Sequence, residues 1–513
     1  MGMEKELEIL TRAEEEARLG GGKKGTDRQH EQGKLTARER VDLFFDKGTF
    51  VELNMFAQHQ CHDFGMEKTR PWGDAVVAGY GKVEGRVVFL YATDFTVLGG
   101  SMGFTNMAKV CNLYRTARKA GAPLVGLFDS VGARIQEGSG TVSELFTENI
   151  FSSGAIPQIS AIMGNCAGGA VYSPALTDFI FMVKGTSQMF ITGPPVLKAV
   201  TGEEISMQDL GGAKPQSELS GVCDIVAEND EECLQMIRKL LSFFPSNYLE
   251  KPPVVDNVDN HNRCDESLLE IVPESPKGAY DMRTIITKIV DDGDFFEVKK
   301  AFARNMITGF ARLGGQSVGI VANQPLVLAG SLDCDASDKA ARFYRFCDCF
   351  NIPLVCLVDV PGYLPGVKEE YKGIIRHGAK MLYGYAEATV PKITCIIRKA
   401  YGGSYAAMGS KRLGADIIFA WPSAEVAIMG AEGAARILYR KEIEAAEDKA
   451  QLIQQKIEEY REKFSNPYHS ASKQIVDVII RPQETRPHLI KALEMLKNKQ
   501  EQRQGKKHGN IPL

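Results

Sequence analysis

The 513-residue sequence lacks the marks of several protein classes. No apolar run approaches the roughly 18 residues that span a membrane, and residues 1–19 contain no apolar signal-peptide core. The 61 basic and 65 acidic residues nearly cancel to a net charge of -4, so no broad basic field indicates nucleic acid. The 11 cysteines contain no Cys-x-x-Cys pair, which is typical of reduced thiols. We therefore expect a cytoplasmic globular protein without a nucleic-acid partner.

Metal ligands and catalytic side chains are also scarce. His59, Cys61 and His62 form the one His/Cys cluster, and no second cluster with zinc spacing completes a tetrahedral site. Of eight histidines, only His377 lies in an apolar, glycine-bearing context. The sequence therefore predicts no bound metal and few candidates for a general acid or base.

What the sequence does contain is an internal repeat. Asp129 matches Asp359 and Gly132 matches Gly362 at an offset of 230 residues, and the offset grows to 234 for Gly168 and Gly402. Other matches occur in the same order, which chance explains poorly. A stretch rich in Pro, Asn and Asp, residues 244–277, separates the halves and has a linker composition. We predict one domain over residues 1–255 and an equivalent one over residues 270–513.

Each half alternates short apolar runs with helical spacing. Continuous apolar strands alternating with helices are typical of an α/β domain whose sheet is covered on both faces. A charged stretch, residues 437–464, predicts one long solvated or interface helix. The predicted strands are residues 87–92, 124–128 and 159–163, then 319–322, 354–358 and 393–397; the helices between them are 105–120 and 336–350.

Two glycine doublets follow predicted strands at equivalent positions of the repeat, Gly168-Gly169 and Gly402-Gly403. Without a Cβ atom, a backbone amide can approach a ligand closely, and two amides aimed at one oxygen form an oxyanion hole. Tight packing of a strand on a helix is the simpler explanation for a single doublet. Two doublets at equivalent positions favour a pair of oxyanion holes, each of which binds one oxygen.

A rival pattern is the Gly-Gly-Ser-Met-Gly run at residues 99–103, which fits the nucleophile elbow of a hydrolase. The matching Gly330-Ser331 pair indicates instead that this turn belongs to the repeat, and no histidine is evident as the base of a triad. No Walker loop or dinucleotide-binding fingerprint is present. The shortage of acids and bases suits catalysis by oxyanion stabilisation, with the substrate or cofactor supplying the base.

Longer motifs resemble the carboxyltransferase subunits of biotin-dependent acyl-CoA carboxylases. The likeness covers essentially the whole chain and is strongest to the propionyl-CoA carboxylase and methylmalonyl-CoA decarboxylase branches. The motifs that carry it are Asp-Ser-Val-Gly-Ala-Arg-Ile-Gln-Glu-Gly at 129–138, Cys-Ala-Gly-Gly-Ala-Val-Tyr-Ser-Pro-Ala at 166–175, Asn-Gln-Pro at 323–325, Val-Asp-Val-Pro-Gly at 358–362, Arg-Lys-Ala-Tyr-Gly-Gly at 398–403 and Lys-His-Gly-Asn-Ile-Pro-Leu at 507–513.

The resemblance implies two duplicated crotonase-like ββα-spiral domains and a homo-oligomer, usually a hexamer. Acyl-CoA would lie on the N-terminal domain, where the amides of Gly168 and Gly169 hold the thioester oxygen. Biotin would lie on the C-terminal domain of another subunit, where the amides of Gly403 and Ser404 hold the ureido oxygen. Carboxybiotin would release CO2, its ureido nitrogen would take the α-proton, and the enolate would capture CO2. Further binding residues by position are Gly132, Ala133, Ala170, Gly362, Gly402, Tyr405 and Ala406.

The partners follow from the same resemblance. The chain has no Met-Lys-Met biotin-attachment signature, so biotin would arrive on a separate carrier. The other subunits would be a biotin carboxylase or the membrane subunits of a sodium-pumping decarboxylase, and the sequence leaves the direction of reaction open. Two alternatives stand beside this one: a biotin-independent crotonase-type hydrolase or isomerase, and a CoA-binding scaffold without activity.

Five departures from the family pattern bear on the acyl group. Val131 replaces a usual Gly, Gln216 and Asp224 stand where His is common, and residues 139–149 are a few residues short. Ala406 replaces the Asp of propionyl-CoA carboxylases, which favours the decarboxylase branch. We expect these changes to alter the acyl specificity more than the reaction.

Overall fold

The computed structural model describes residues 2–138, 142–256, 259–275 and 278–513. It divides into two compact units, Met1–Glu250 and Lys251–Leu513. Residues 251–270, which resemble a linker in composition, group with the second unit. Arg263 shows why, because its guanidinium donates to the carbonyls of Lys288 and Val290 at 2.7 and 3.1 Å. Side-chain contacts of this kind, rather than apolar periodicity, hold the segment.

The first unit is built on a seven-stranded mixed sheet in the order β1-β2-β3-β4-β5-β7-β9. The pairs β1/β2 and β2/β3 are antiparallel, and the rest are parallel. The short strands β6 and β8 form a separate parallel pair. The strands are β1 (Val51–Glu52), β2 (Val76–Val83), β3 (Arg86–Thr93), β4 (Leu124–Phe128), β5 (Gln158–Ile162), β6 (Asn165–Ala167), β7 (Phe179–Val183), β8 (Gln188–Phe190) and β9 (Ile225–Ala227).

Helices cover this sheet and bury one apolar core around Tyr91, Val110 and Phe128. Helix α4 shows how the sequence sets its ends: the Asn106 side chain accepts the Gly103 amide at its start, and left-handed Gly121 follows its last residue. The helices are α1 (Met3–Leu19), α2 (Gly22–Glu31), α3 (Ala37–Phe44), α4 (Phe104–Ala120), α5 (Val142–Ser152), α6 (Tyr172–Ala175), α7 (Pro194–Thr201), α8 (Met207–Gly211), α9 (Ala213–Glu218) and α10 (Asp230–Leu241).

The second unit repeats the arrangement with the order β10-β11-β12-β13-β14-β15-β17, and β16 pairs with β14. Its β14 spans the stretch that is split into β5 and β6 in the first unit. Each unit is an α/β domain with a mixed sheet, which confirms the predicted fold class. The strands are β10 (Phe295–Val298), β11 (Met306–Leu313), β12 (Gln316–Asn323), β13 (Leu354–Val360), β14 (Lys392–Tyr401), β15 (Ile417–Ala420), β16 (Glu425–Ala427) and β17 (Val478–Ile479).

The predicted single helix over residues 437–464 is wrong, because three shorter helices, α16 to α18, run through it. Asp448 explains the last break: its carboxylate accepts the Gln451 amide and caps a new helix, which packs on α16 through Ile457 and Ala435. The helices are α11 (Met282–Ile289), α12 (Cys334–Cys349), α13 (Val367–Lys372), α14 (Ile374–Glu387), α15 (Gly402–Ala407), α16 (Ala431–Leu438), α17 (Arg440–Ala445), α18 (Lys449–Phe464), α19 (Pro467–Ser472) and α20 (Thr485–Met495).

Among the helices of the described residues, none is both long and apolar enough to span a bilayer.

Candidate active site

The first glycine doublet lies where β6 ends. Ala167 is its last residue, a short 3-10 turn covers Gly168–Val171, and α6 follows. Gly168 has a φ of +67°, a backbone conformation that strongly favours glycine. The first amides of a helical turn have no acceptor inside that turn, so those of Gly168 and Gly169 remain available to a ligand.

The second doublet lies at the same point of the second unit, where β14 ends at Tyr401 and α15 begins. Gly402 repeats the left-handed conformation of Gly168 with a φ of +55°. The Ser404 hydroxyl donates to the Tyr401 carbonyl at 2.7 Å, so this side chain is engaged within the turn. Its amide and that of Gly403 are, as in the first unit, early amides without an acceptor inside the helix.

The space around each loop shows whether its glycines are needed for close packing or for access of a ligand. A Cβ atom on Gly169 or on Gly403 would meet no atom of the described residues within 4 Å. Close packing of strand on helix therefore does not require glycine at either position. Gly402 is different, because its Cβ would lie 2.9 Å from the Ile428 carbonyl oxygen. The second residue of each doublet thus faces open space.

Gly132 lies beside the first loop. It has a φ of +99°, and a Cβ there would lie 3.2 Å from the Ala167 carbonyl oxygen. Its own carbonyl accepts the Met102 amide at 2.9 Å, and Ala133 forms a bridge with Met102. The structure thus brings Gly132 next to the residue that precedes Gly168, with Ala133 adjoining.

The counterparts in the second unit follow the same pattern only in part. Gly362 accepts the Leu332 amide at 3.1 Å, as Gly132 accepts that of Met102. A Cβ on Gly362 would contact nothing described within 4 Å, so its approach to the second loop is less close. Ala170, by contrast, matches Ser404 in position, and both side chains are buried.

A cavity of about 520 Å3 adjoins the second loop, and Gly402, Tyr405 and Ala406 line it. Its far wall includes Tyr460 and Phe464. Tyr405 is buried, which raises the pKa of its hydroxyl, and this hydroxyl has no hydrogen-bond partner among the described residues. The lining combines these aromatic rings with basic side chains, and the Tyr405 hydroxyl is itself shielded from solvent.

The hydrolase pattern at residues 99–103 does not assemble a triad. The Ser101 hydroxyl is buried and accepts a 3.0 Å hydrogen bond from the Arg134 guanidinium. His59, in the same unit, bonds the Thr69 carbonyl at 2.7 Å, and His377 pairs with Asp338 in the second unit. A serine held by a cation is a poor nucleophile, so this turn is structural.

The residues that depart from the family pattern differ in their exposure and in their contacts. Val131 is 55% exposed, and a Cβ on Gly99 would lie 3.2 Å from its side chain. The Gln216 amide donates to Met189 in β8 at 2.6 Å, and Asp224 accepts the Ile180 amide in β7 at 2.7 Å. Gln216 and Asp224 thus anchor strands. Residues 139–141 of the shortened stretch lie outside the described residues.

Sequence reasoning noted Asp129 and Asp359 as repeat matches but gave them no role. Both are fully buried, and each accepts a backbone amide of the segment that leads into a glycine loop. Their identical placement in the repeat was the available signal. Elsewhere in the described chain, no group of three or more His, Cys, Asp or Glu side chains is arranged to hold a metal.

Comparison with known proteins identifies the family of this chain. The carboxyl transferase domain model matches residues 28–511. The chain belongs to the carboxyl transferase family, and the resemblance seen in its motifs is confirmed.

Two relatives and one solved structure show how close the match is. The chain is 54% identical to a propionyl-CoA carboxylase carboxyltransferase subunit of Haloferax mediterranei, over all of both chains. It is also 54% identical to the methylmalonyl-CoA decarboxylase subunit alpha of Veillonella parvula, over 100% of this chain and 99% of the relative. The transcarboxylase 12S structure, a hexamer with methylmalonyl-coenzyme A bound, shares 51% identity and a TM-score of 0.98 over 100% and 99% of the two chains.

Proposed function

We propose that this family member is the carboxyltransferase subunit that moves a carboxyl group between carrier-bound biotin and a short-chain acyl-CoA. Propionyl-CoA and methylmalonyl-CoA are the leading pair, since both 54% identical relatives carry those names. One structural observation carries the proposal: Gly169 and Gly403 occupy equivalent positions and both face open space. Two oxygens, one on each substrate, need such a contact in this reaction.

The first loop serves the acyl-CoA in this proposal. The amides of Gly168 and Gly169 donate to the thioester oxygen, with Gly132, Ala133 and Ala170 shaping the surroundings. These donors matter most when negative charge develops on that oxygen as the α-proton leaves, because fixed dipoles then stabilise charge without reorganising. No acidic side chain is needed for that step.

The second loop serves biotin. The amides of Gly403 and Ser404 donate to the ureido oxygen. Gly362 and Gly402 have no side chain that would block the approach of biotin to these amides. The cavity beside this loop, lined by Gly402, Tyr405 and Ala406, is large enough for the bicyclic ring of biotin. When bound, biotin supplies the carboxyl group and the base that takes the α-proton.

The direction of transfer depends on other chains. In a carboxylase, the carrier is loaded by a biotin carboxylase; in a sodium-pumping decarboxylase, membrane subunits unload it. Ala406 favours the second arrangement, because it offers the cavity an apolar wall where propionyl-CoA carboxylases place a carboxylate. We propose a homo-oligomer, with the hexamer as the leading form, that works in the cytoplasm. The 11 free cysteines support a reducing compartment.

Carboxyl transfer to free biotin tests the proposal. The full chain is mixed with malonyl-, methylmalonyl- and ethylmalonyl-CoA, and the loss of the carboxyl group is followed with and without biotin. We expect biotin-dependent turnover that is fastest with methylmalonyl-CoA. Turnover without biotin would favour a crotonase-type hydrolase or isomerase, and binding without turnover would favour a scaffold.

A further inference from the structure

Two buried aspartates each accept a hydrogen bond from the backbone segment that leads into one of the two glycine loops. Asp129 directly follows the last residue of β4, and its Oδ1 accepts the amide of Asn165 at 3.3 Å. Asn165 opens β6, whose last residue, Ala167, is followed directly by Gly168. The main-chain amide of Asp129 is itself fixed, because it donates to the Thr93 hydroxyl at 2.7 Å.

Asp359 repeats each of these contacts in the second unit. Its Oδ1 accepts the amide of Lys399 at 3.1 Å, three residues before Gly402. Its main-chain amide donates to the Asn323 side-chain oxygen at 3.2 Å, and Asn323 matches Thr93 at the repeat offset. Both loops are therefore tied by the same carboxylate-to-amide contact at the same distance along the chain.

The second oxygen of each carboxylate is satisfied by different residues. Oδ2 of Asp129 accepts from Lys34 at 2.9 Å and from Gln29 at 3.0 Å. Oδ2 of Asp359 accepts from Arg398 at 3.0 Å and from Tyr280 at 2.8 Å.

Gly164 explains why the two units differ here. It matches Arg398 in the repeat, but a Cβ at Gly164 would lie only 1.9 Å from Oδ1 of Asp129. The backbone between β5 and β6 therefore has no room for a cation at this position, and Lys34 at 2.9 Å and Arg40 at 3.6 Å from Oδ2 provide the charge instead. The contact to the loop segment is kept although the cation comes from a different part of the chain.

Other repeated aspartates serve the sheet and provide a contrast. Asp178 accepts the Gln158 amide at the start of β5, and Asp416 accepts the Lys392 amide at the start of β14, both at 2.8 Å. Both side chains are only half-buried, and the amides they hold lie ten residues before the glycines. They make the same kind of bond without reaching the loops.

We infer that Asp129 and Asp359 are positioning residues, each aiming the amides of one glycine loop and each serving one substrate. This inference rests on the proposed function. Asp129 governs the thioester oxygen through the Asn165 segment, and Asp359 governs the ureido oxygen through the Lys399 segment. Small displacements of such donors matter, since a misplacement near 1 Å reduces rates on the order of 100-fold.

The test uses Asp129→Asn and Asp359→Asn in the full-length protein. Asparagine has nearly the same shape but replaces one carboxylate oxygen with an NH2 group, which cannot accept from Lys34 or Arg398. Each variant should lower kcat for carboxyl transfer to free biotin by about 10- to 100-fold. Asp178→Asn and Asp416→Asn are the matched controls and should leave kcat within about 2-fold, since the amides they hold lie far from the reacting oxygens.

Infrared spectra separate positioning from a general structural role. The 13C-labelled thioester carbonyl of bound propionyl-CoA and the 13C-labelled ureido carbonyl of bound biotin each absorb at lower frequency when hydrogen-bonded. We expect Asp129→Asn to return only the thioester band towards its frequency in water, and Asp359→Asn to return only the ureido band. The controls should move neither band.

Unchanged bands and unchanged kcat in both variants would overturn the inference, as would equal shifts in the control variants. Should Asp129→Asn fail to fold, Lys34→Gln removes the cation that binds Oδ2 of Asp129. It should move the thioester band in the same direction. Arg398→Gln does the same for the ureido band. A wild-type protein without biotin-dependent turnover would instead refute the proposed function itself.

Discussion

Replacing Gly169 with alanine separates a packing role from a catalytic one. The added Cβ would meet no described atom within 4 Å, and the φ of Gly169 lies outside the left-handed region. The folded state should therefore accept the methyl group, and the smaller entropy of the unfolded chain should stabilise the protein by up to about 1 kcal/mol.

Activity should respond in the opposite direction. The methyl group would project into the space where the thioester approaches, and it would hold the oxygen away from the Gly169 amide. Loss of one oxyanion donor reduces kcat by about 100- to 1000-fold, which corresponds to about 3–4 kcal/mol of transition-state stabilisation.

The assay is biotin-dependent carboxyl transfer from methylmalonyl-CoA, with thermal unfolding measured on the same preparation. Gly505→Ala is the matched control, because a Cβ there also contacts none of the described residues within 4 Å and its φ is likewise outside the left-handed region. Near-normal kcat in Gly169→Ala would refute the assignment of this loop. A fall in activity that is accompanied by a large drop in Tm would refute the argument that the space is open.

Four further predictions follow from other parts of the molecule. Gly168→Ala should cost about 1–2 kcal/mol of stability in thermal unfolding, because its φ of +67° strains an L-residue. Burial lowers the pKa of Lys109 to about 8. At this one group the unfolded chain therefore binds more protons between pH 8 and the ordinary lysine pKa, 10.5, so the contribution of Lys109 to stability should rise across that window by about 3 kcal/mol. Thermal unfolding should show it as a difference between the wild type and Lys109→Met that changes across the same window. Ala406→Asp should change the ratio of kcat/KM among malonyl-, methylmalonyl- and ethylmalonyl-CoA, and unchanged ratios would assign Ala406 a space-filling role. Light scattering should find dimers or larger, since large apolar side chains such as Ile135 and Ile428 are 82% exposed in the single chain; an active monomer would contradict this.

Many regular strands and helices of the fold could be predicted from the sequence. The apolar periodicity and the internal repeat both arise from the side chains that each unit buries in its core. The predicted strand at 124–128 is β4, and the helix predicted over 105–120 begins one residue earlier as α4. The break at Asp448 was hidden, because charges at helical spacing continue across it and a cap acts through one side chain. The short β6 and β8 were also missed, since three residues carry too little pattern.

The candidate site could be predicted only as far as its glycines. Gly168, Gly169, Gly402 and Gly403 stand out in a sequence because glycine in an apolar stretch needs a reason. Whether that reason is a close neighbour or open space depends on atoms distant in the chain, such as the Ile428 carbonyl beside Gly402. Asp129 posed the same difficulty, because its partners Lys34 and Gln29 precede it by 95 and 100 residues.

The geometry also indicates where acyl specificity must reside. Every acyl-CoA presents the same thioester oxygen, so amides that bind this oxygen cannot distinguish one acyl group from another. Discrimination must come from side chains beside the loops, at about 1–3 kcal/mol for each methylene. We propose Val131 as such a side chain, because it lies exposed one residue before Gly132, where an added Cβ would lie 3.2 Å from the last carbonyl oxygen of β6. Because the acyl group must meet the biotin ring for the carboxyl group to move, we propose Ala406, which lines the cavity assigned to that ring, as a second such side chain. We therefore expect substitutions at these two positions to change the preferred acyl group while both pairs of amides, and with them the reaction, stay the same.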